Sequence, residues 1–156
     1  MNEYRKTFED EVDWKIIDQL HNATNNFSSS SLEFKKIYFV ILGILMPIIF
    51  KLGDNKLDIA LLITPFCLSI FFWILDIITY YIQETLREKM DKHFEKLKER
   101  NSNSLEDHNE YTLPSNRTKK NRLYRSIFNN SAFFYPIILF LNIILFILYY
   151  AGAFQT

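Results

Sequence analysis

Glycine is scarce in this chain, three in 156 residues, and so few leave no Gly-rich loop to cradle a phosphate. The single cysteine, Cys67, excludes an intrachain disulfide. The three histidines, His21, His93 and His108, stand far apart, with no nucleophile motif or metal-spaced Cys/His set beside them. Neither catalysis nor a cofactor nor a metal is expected. The first thirty residues mix acids and bases instead of forming an apolar run, so they are not expected to act as a secretory signal.

What the chain does have is apolar length. Leu57 to Ile82 and Ala132 to Ala153 each reach the roughly 20 residues a bilayer span needs at about 1.5 Å per residue. Ile37 to Phe50 (IYFVILGILMPIIF) is shorter, but Lys35, Lys36 and Lys51 can bury their stems while their amines reach water, which lengthens the tolerated span. A mean hydropathy near zero conceals these runs by averaging them with stretches rich in Lys, Glu and Asn. The expected fold class is an all-α integral membrane protein with three transmembrane helices. Its expected divisions are 1–30 (amphipathic helix and linker), 31–52 (first span), 57–101 (second span and extension), 102–131 (basic linker) and 132–153 (third span).

Lysine and arginine set the expected orientation. Five fall in the first 36 residues, two between Lys51 and Asp58, and eleven between Gln83 and Ser131. Positive charge stays on the cytoplasmic side. The N-terminus and central segment are therefore expected inside, and the Gly53-Asp54-Asn55-Lys56 turn and C-terminal tail outside. Trp73, Tyr80, Tyr81, Tyr149 and Tyr150 suit the interfacial aromatic belts. Small size and richness in Asn, Lys, Ile and Phe are compatible with a bacterial inner membrane.

Before the first span, Tyr4, Phe8, Val12, Ile16 and Leu20 recur every four residues, with Trp14 and Ile17 widening the stripe. This predicts an amphipathic helix with an acidic polar face, suited to packing on protein. His21 to Ser31 reads as an Asn/Ser-rich linker, and Ser30 with Glu33 as a capping box opening the first span. Pro47 is expected to kink that span. Nothing breaks the second helix after Ile82, so it should continue to about Asn101 as a rod of about 44 residues and roughly 66 Å. Ser102 to Arg122, polar and aperiodic with Pro114, reads as a flexible linker.

Along the rod, Ser69, Asp76, Gln83, Met90 and Leu97 form one heptad row, and Phe72, Thr79, Leu86 and His93 the adjacent one. The seam is polar inside the apolar run (Ser69, Asp76, Thr79, Gln83) and mostly apolar beyond it (Leu86, Met90, Leu97). Such a seam should avoid both solvents, by meeting copies of itself or another helix or by lining a water-filled path. In parallel copies, Asp76 would form a carboxylate ring selecting cations, with Leu86 and Met90 as a dewetting constriction. Asp76 could also reach interfacial water, or pair with another buried polar group. Asn142, midway along the third span, reads as a helix-packing amide. The basic run Arg117, Lys119, Lys120, Arg122 and Arg125 has two readings: a phosphate-binding cluster for nucleic acid, nucleotide or headgroup, or a juxtamembrane topology signal.

The layout, with its rod FFWILDIITYYIQETLREKMDKHFEKLKERN, resembles small membrane effectors of bacterial anti-phage systems such as the channel effectors of the Hailong system. The resemblance implies a homo-oligomeric ion channel held silent by DNA oligomers from a partner nucleotidyltransferase-like protein, and opened on infection to depolarise the cell. It carries over no functional residue. The expected partners are the membrane, further copies of the chain, permeant ions, and an inhibitory DNA oligomer or cytosolic protein. The alternatives are a non-transporting anchor or adaptor and an accessory subunit of a larger complex.

Overall fold

The computed structural model describes residues 6–53, 58–101 and 119–153, and among these the chain is helical without strands. Helix α1 spans Phe8–Leu52, α2 Ile59–Asn101, α3 Lys119–Ile127 and α4 Phe134–Tyr150. Tyr4, Arg117, positions 54–57 of the expected outer turn, the linker positions 102–118 and the last three residues lie outside the described residues.

Helix α1 opens on a capping box, but not at the expected place. The Thr7 hydroxyl accepts from the Asp10 amide and the Asp10 carboxylate from the Thr7 amide, both at 3.2 Å. Glu9, Asp10 and Glu11 complement the positive end of the helix dipole. From there α1 runs unbroken for 45 residues, so the linker expected over His21 to Ser31 is helical. Its hydroxyls do not compete with the helix: Thr24 donates to the Leu20 carbonyl at 2.8 Å and Ser30 to the Asn26 carbonyl at 3.0 Å. Ser30 therefore opens no helix, and α1 also continues through Pro47.

The continuity of α1 has a packing cause. Asp10, Ile17, Thr24, Ser31 and Tyr38 are buried at heptad intervals, and so are Leu62, Ser69, Asp76, Gln83 and Leu97 on α2. The two rows pair antiparallel: Ser31 bonds Asp76, and one heptad later on α1 and earlier on α2 the Tyr38 hydroxyl lies 2.8 Å from Ser69 Oγ. Small residues at Thr24 and Ser31 suit close approach, and pairing along the whole length outweighs the weak intrinsic propensity of the Asn/Ser stretch.

This pairing also corrects the N-terminal stripe. Phe8 is 81% exposed and Val12 and Trp14 remain exposed, while Asp10 and Asp13 are buried. Asp10 and Asp13 turn inward because Arg100 and His93 of α2 meet them, while Glu9, Glu11 and Asp18 stay exposed.

Helices α3 and α4 both run antiparallel to α2. Arg122 and Arg125 reach Glu88 and Glu84, and further along Tyr135 packs near Phe72 and Phe146 lies edge-on to Phe66 at 6.1 Å. The core joins α1, α2 and α4 through Tyr38, Phe72 and Tyr135, with Tyr38 edge-on to Phe72 at 5.7 Å and to Tyr135 at 6.0 Å.

Among the described residues α2 is the one helix long and apolar enough to cross a membrane, and only 33% of its apolar window is buried within the chain. Helix α4 has 17 residues, about 25 Å, and the apolar part of α1 is the last third of a longer helix. Against the expectation of three transmembrane helices, one helix among the described residues is clearly long and apolar enough to span a membrane. Around it, Phe39, Val40 and Ile44 of α1 and Phe140 and Ile147 of α4 also face outward.

Candidate functional site

The strongest polar cluster sits where the apolar stretches of α1 and α4 begin. Asp76 on α2 is 2% exposed. Ser31 donates its hydroxyl hydrogen to one oxygen of the Asp76 carboxylate, and Lys35 Nζ lies 3.4 Å from the other. Lys35 also donates to Ser31 Oγ at 3.0 Å and to Ser131 Oγ, just before α4, at 2.7 Å. One ammonium thereby ties α1 to α2 and to the start of α4.

The physical logic of the cluster is mutual satisfaction. A carboxylate removed from water is costly unless paired and hydrogen-bonded, and an ammonium with several oxygen partners is the matching group. Of the readings open for Asp76, pairing within the chain is what the geometry provides, with the carboxylate 2% exposed.

The other seam residues lie on the same covered face. Ser69 shares its hydroxyl between Tyr38 and the Pro65 carbonyl, the latter at 2.6 Å. Thr79 donates to the Leu75 carbonyl at 2.8 Å, and Gln83 is 4% exposed. Leu86 and Met90 follow as half-buried residues further along. Ser69, Asp76, Thr79 and Gln83 share one buried face of α2, and α1 of the same chain packs over it. Within one chain it meets this helix, whose own heptad row fits it, and not a copy of α2.

The basic run divides. Lys119 and Lys120 open α3. Arg122 is 3% exposed, donates to Thr85 Oγ1 at 2.9 Å and to the Glu88 carboxylate, and stacks 5.3 Å over the Tyr81 ring. Arg125 lies 3.2 Å from Glu84, which also accepts from Arg87 at 3.0 Å. The expectation of a free phosphate cluster is corrected for Arg122: its planar fork is spent fastening α3 to α2. Asn142, 5% exposed, donates to the Ile138 carbonyl of its own helix at 2.9 Å, so this donor is not the interhelical bond expected of it.

A second ionic group closes the far end of the rod. Arg100 bonds Asp10 at 3.1 Å and also Asp13, while His93 Nδ1 lies 2.7 Å from Asp13 Oδ1. Hydrogen bonds from Arg100 and then His93 hold the Asp13 carboxyl below its ordinary value of 3.8. For Asp10, burial acts upward, but bonds with Thr7 and Arg100 outweigh it and leave it lowered too. The Arg100 guanidinium is raised in turn, chiefly by Asp13.

Sequence reasoning missed Ser31, Lys35, Ser131 and the Asp10–Asp13–Arg100 group. The recoverable signal was the heptad row from Asp10 to Tyr38, which places Ser31 opposite Asp76 once α1 is read as continuous. Among the described residues no group of His, Cys, Asp or Glu is placed to hold a metal. No protein-family model, curated protein or solved structure matches the chain.

Proposed function

We propose that the chain is a homo-oligomeric membrane channel whose conducting path runs along the α1–α2 seam, held closed by the Asp76–Lys35 pair. In this reading α2, the apolar third of α1 and α4 lie in the bilayer together, with the polar end of the rod and α3 on the cytoplasmic side of a bacterial inner membrane. The observation that carries it is a carboxylate and an ammonium sequestered together beside the apolar core, at the junction of three helices. A carboxylate on the one membrane-length helix, withdrawn from solvent beside its cation, is a candidate element of an ion path. Parting α1 from α2 would uncover Ser69, Asp76, Thr79 and Gln83 in one row, with Leu86 and Met90 beyond as the apolar constriction.

The resemblance in layout adds a setting: depolarisation of the cell as an anti-phage response, restrained by a cytosolic ligand such as an oligonucleotide. Ion flux from the full chain in liposomes tests the channel itself. Flux that Asp76→Asn alters supports it, and absence of flux from correctly inserted protein removes it. A non-transporting anchor or adaptor is the second reading, and the covering of Ser69, Asp76 and Thr79 within one chain favours it. That reading predicts no flux and a cytosolic protein docked on the exposed Phe8 and Trp14 end of the rod.

A further inference from the structure

A groove of about 620 Å³ opens beside the Asp76–Lys35 pair, between α1, α2 and the connection from α3 to α4. Its wall includes Ser28, Ser29, Lys35, Gln83, Arg87 and Asn129. Among the described residues two cations and no carboxylate line it; their counter-charges, Asp76 and Glu84, stand behind them at 2% and 3% exposure. Hydroxyl, amide, ammonium and guanidinium groups thus surround one space from two helices and the α3–α4 connection.

Gln83 adds an independent observation. Its side chain is almost wholly covered, at 4% exposure, it lines the groove, and no hydrogen bond joins its amide to another described residue. The amide end itself is not buried without a partner but open to solvent. Here the open side is the groove. Asn129 is oriented by the Ser131 backbone amide, which donates to its side-chain Oδ1 at 3.3 Å and leaves its NH₂ to donate elsewhere.

We infer that this groove binds a phosphate group, with Gln83, Arg87 and the Ser28 and Ser29 hydroxyls as donors and Lys35 as a nearby positive charge whose own donors are already engaged. Phosphate fits because its several oxygens accept from many directions, and because charge-assisted bonds from Arg and Lys to phosphate are the strong ones. The groove also lies level with the start of the apolar stretches, since Lys35 precedes Ile37 on α1 and Ser131 precedes α4. In the membrane reading above, on which this placement rests, that is the headgroup level. The same chemistry is offered by a phospholipid headgroup and by free phosphate.

The test uses the full chain in neutral maltoside micelles, with inorganic phosphate, phosphatidic acid and diacylglycerol as probes in native mass spectrometry and equilibrium binding. At least one phosphate-bearing probe is expected to bind one per chain, while diacylglycerol does not. Gln83→Leu and Arg87→Gln should each weaken it about tenfold. The double variant Ser28→Ala/Ser29→Ala, at exposed positions that leave the fold intact, should weaken it as well. Binding of inorganic phosphate identifies a soluble source, and binding of phosphatidic acid alone a headgroup. Failure of both to bind, or equal binding by all three variants, overturns the inference. Flotation of the chain with liposomes reads the membrane placement separately, so its loss would leave the inorganic-phosphate result interpretable.

Discussion

Ser31 and Asp76 lie 45 residues apart in sequence, and the hydroxyl of one donates to the buried carboxylate of the other. That bond fixes the register between the two long helices. With Lys35 it converts two amphipathic rods into one paired unit whose polar seam is shut.

Breaking the pair from one side should cost more than removing both charges. Lys35→Met leaves Asp76 buried without its cation, and a loss of about 3 kcal/mol is expected. The double variant Lys35→Met/Asp76→Leu should recover much of that loss, because no uncompensated charge is then left between the helices. Unfolding in mixed micelles, followed by circular dichroism across the cycle, measures it; strict additivity would deny the coupling.

The heptad register predicts contacts beyond those already bonded. One heptad on from Thr24 and Gln83, Ile17 should oppose Met90. In a Cys67→Ser background, Ile17→Cys paired with Met90→Cys should crosslink readily, and Asp18→Cys with Met90→Cys should not, since position 18 is exposed.

Acid should undock the polar end of the rod. Asp10 and Asp13 have folded pKa values below their ordinary 3.8. Their contribution to stability is therefore complete above that value and is lost as pH falls below it through the folded values. Trp14 packs edge-on against Phe94 at 5.7 Å and reports on this end. In a Trp73→Phe background its emission should hold from neutral pH to about 5 and change below about 3.8. Arg100→Ala, which removes the main cause lowering Asp13, should move that change to higher pH.

The α3 strap should depend on the geometry of arginine and not on charge alone. Arg122→Ala removes bonds to Thr85 and Glu88 and the stack on Tyr81, a loss on the order of 2 kcal/mol. Arg122→Lys should restore only part, since an ammonium cannot serve both oxygens in one fork. Protease protection of the segment before α4 reads this out, and full rescue by lysine would contradict it.

Much of α2 was legible in the sequence because its signal is local: an apolar run, an unbroken helical pattern, and heptad rows through Ser69–Asp76–Gln83 and Phe72–Thr79. The continuity of α1 was not. His21 to Ser31 reads as a linker by propensity, and its helicity comes from pairing with α2, information that resides in the partner helix. The inward turn of Asp10 and Asp13 was hidden for the same reason, as was the use of Arg122, since each depends on a counter-charge many residues away. The Lys35–Asp76 pair becomes visible only when both heptad rows are laid against each other.

The closed-seam channel is tested most directly by locking the seam and watching flux. Tyr38→Cys and Ser69→Cys, in a Cys67→Ser background, can be joined by a short bis-methanethiosulfonate bridge that a reductant removes. Liposomes containing the bridged chain should pass no ions, and reduction should restore flux to that of the unbridged variant. Equal flux with the bridge in place would contradict a path between α1 and α2.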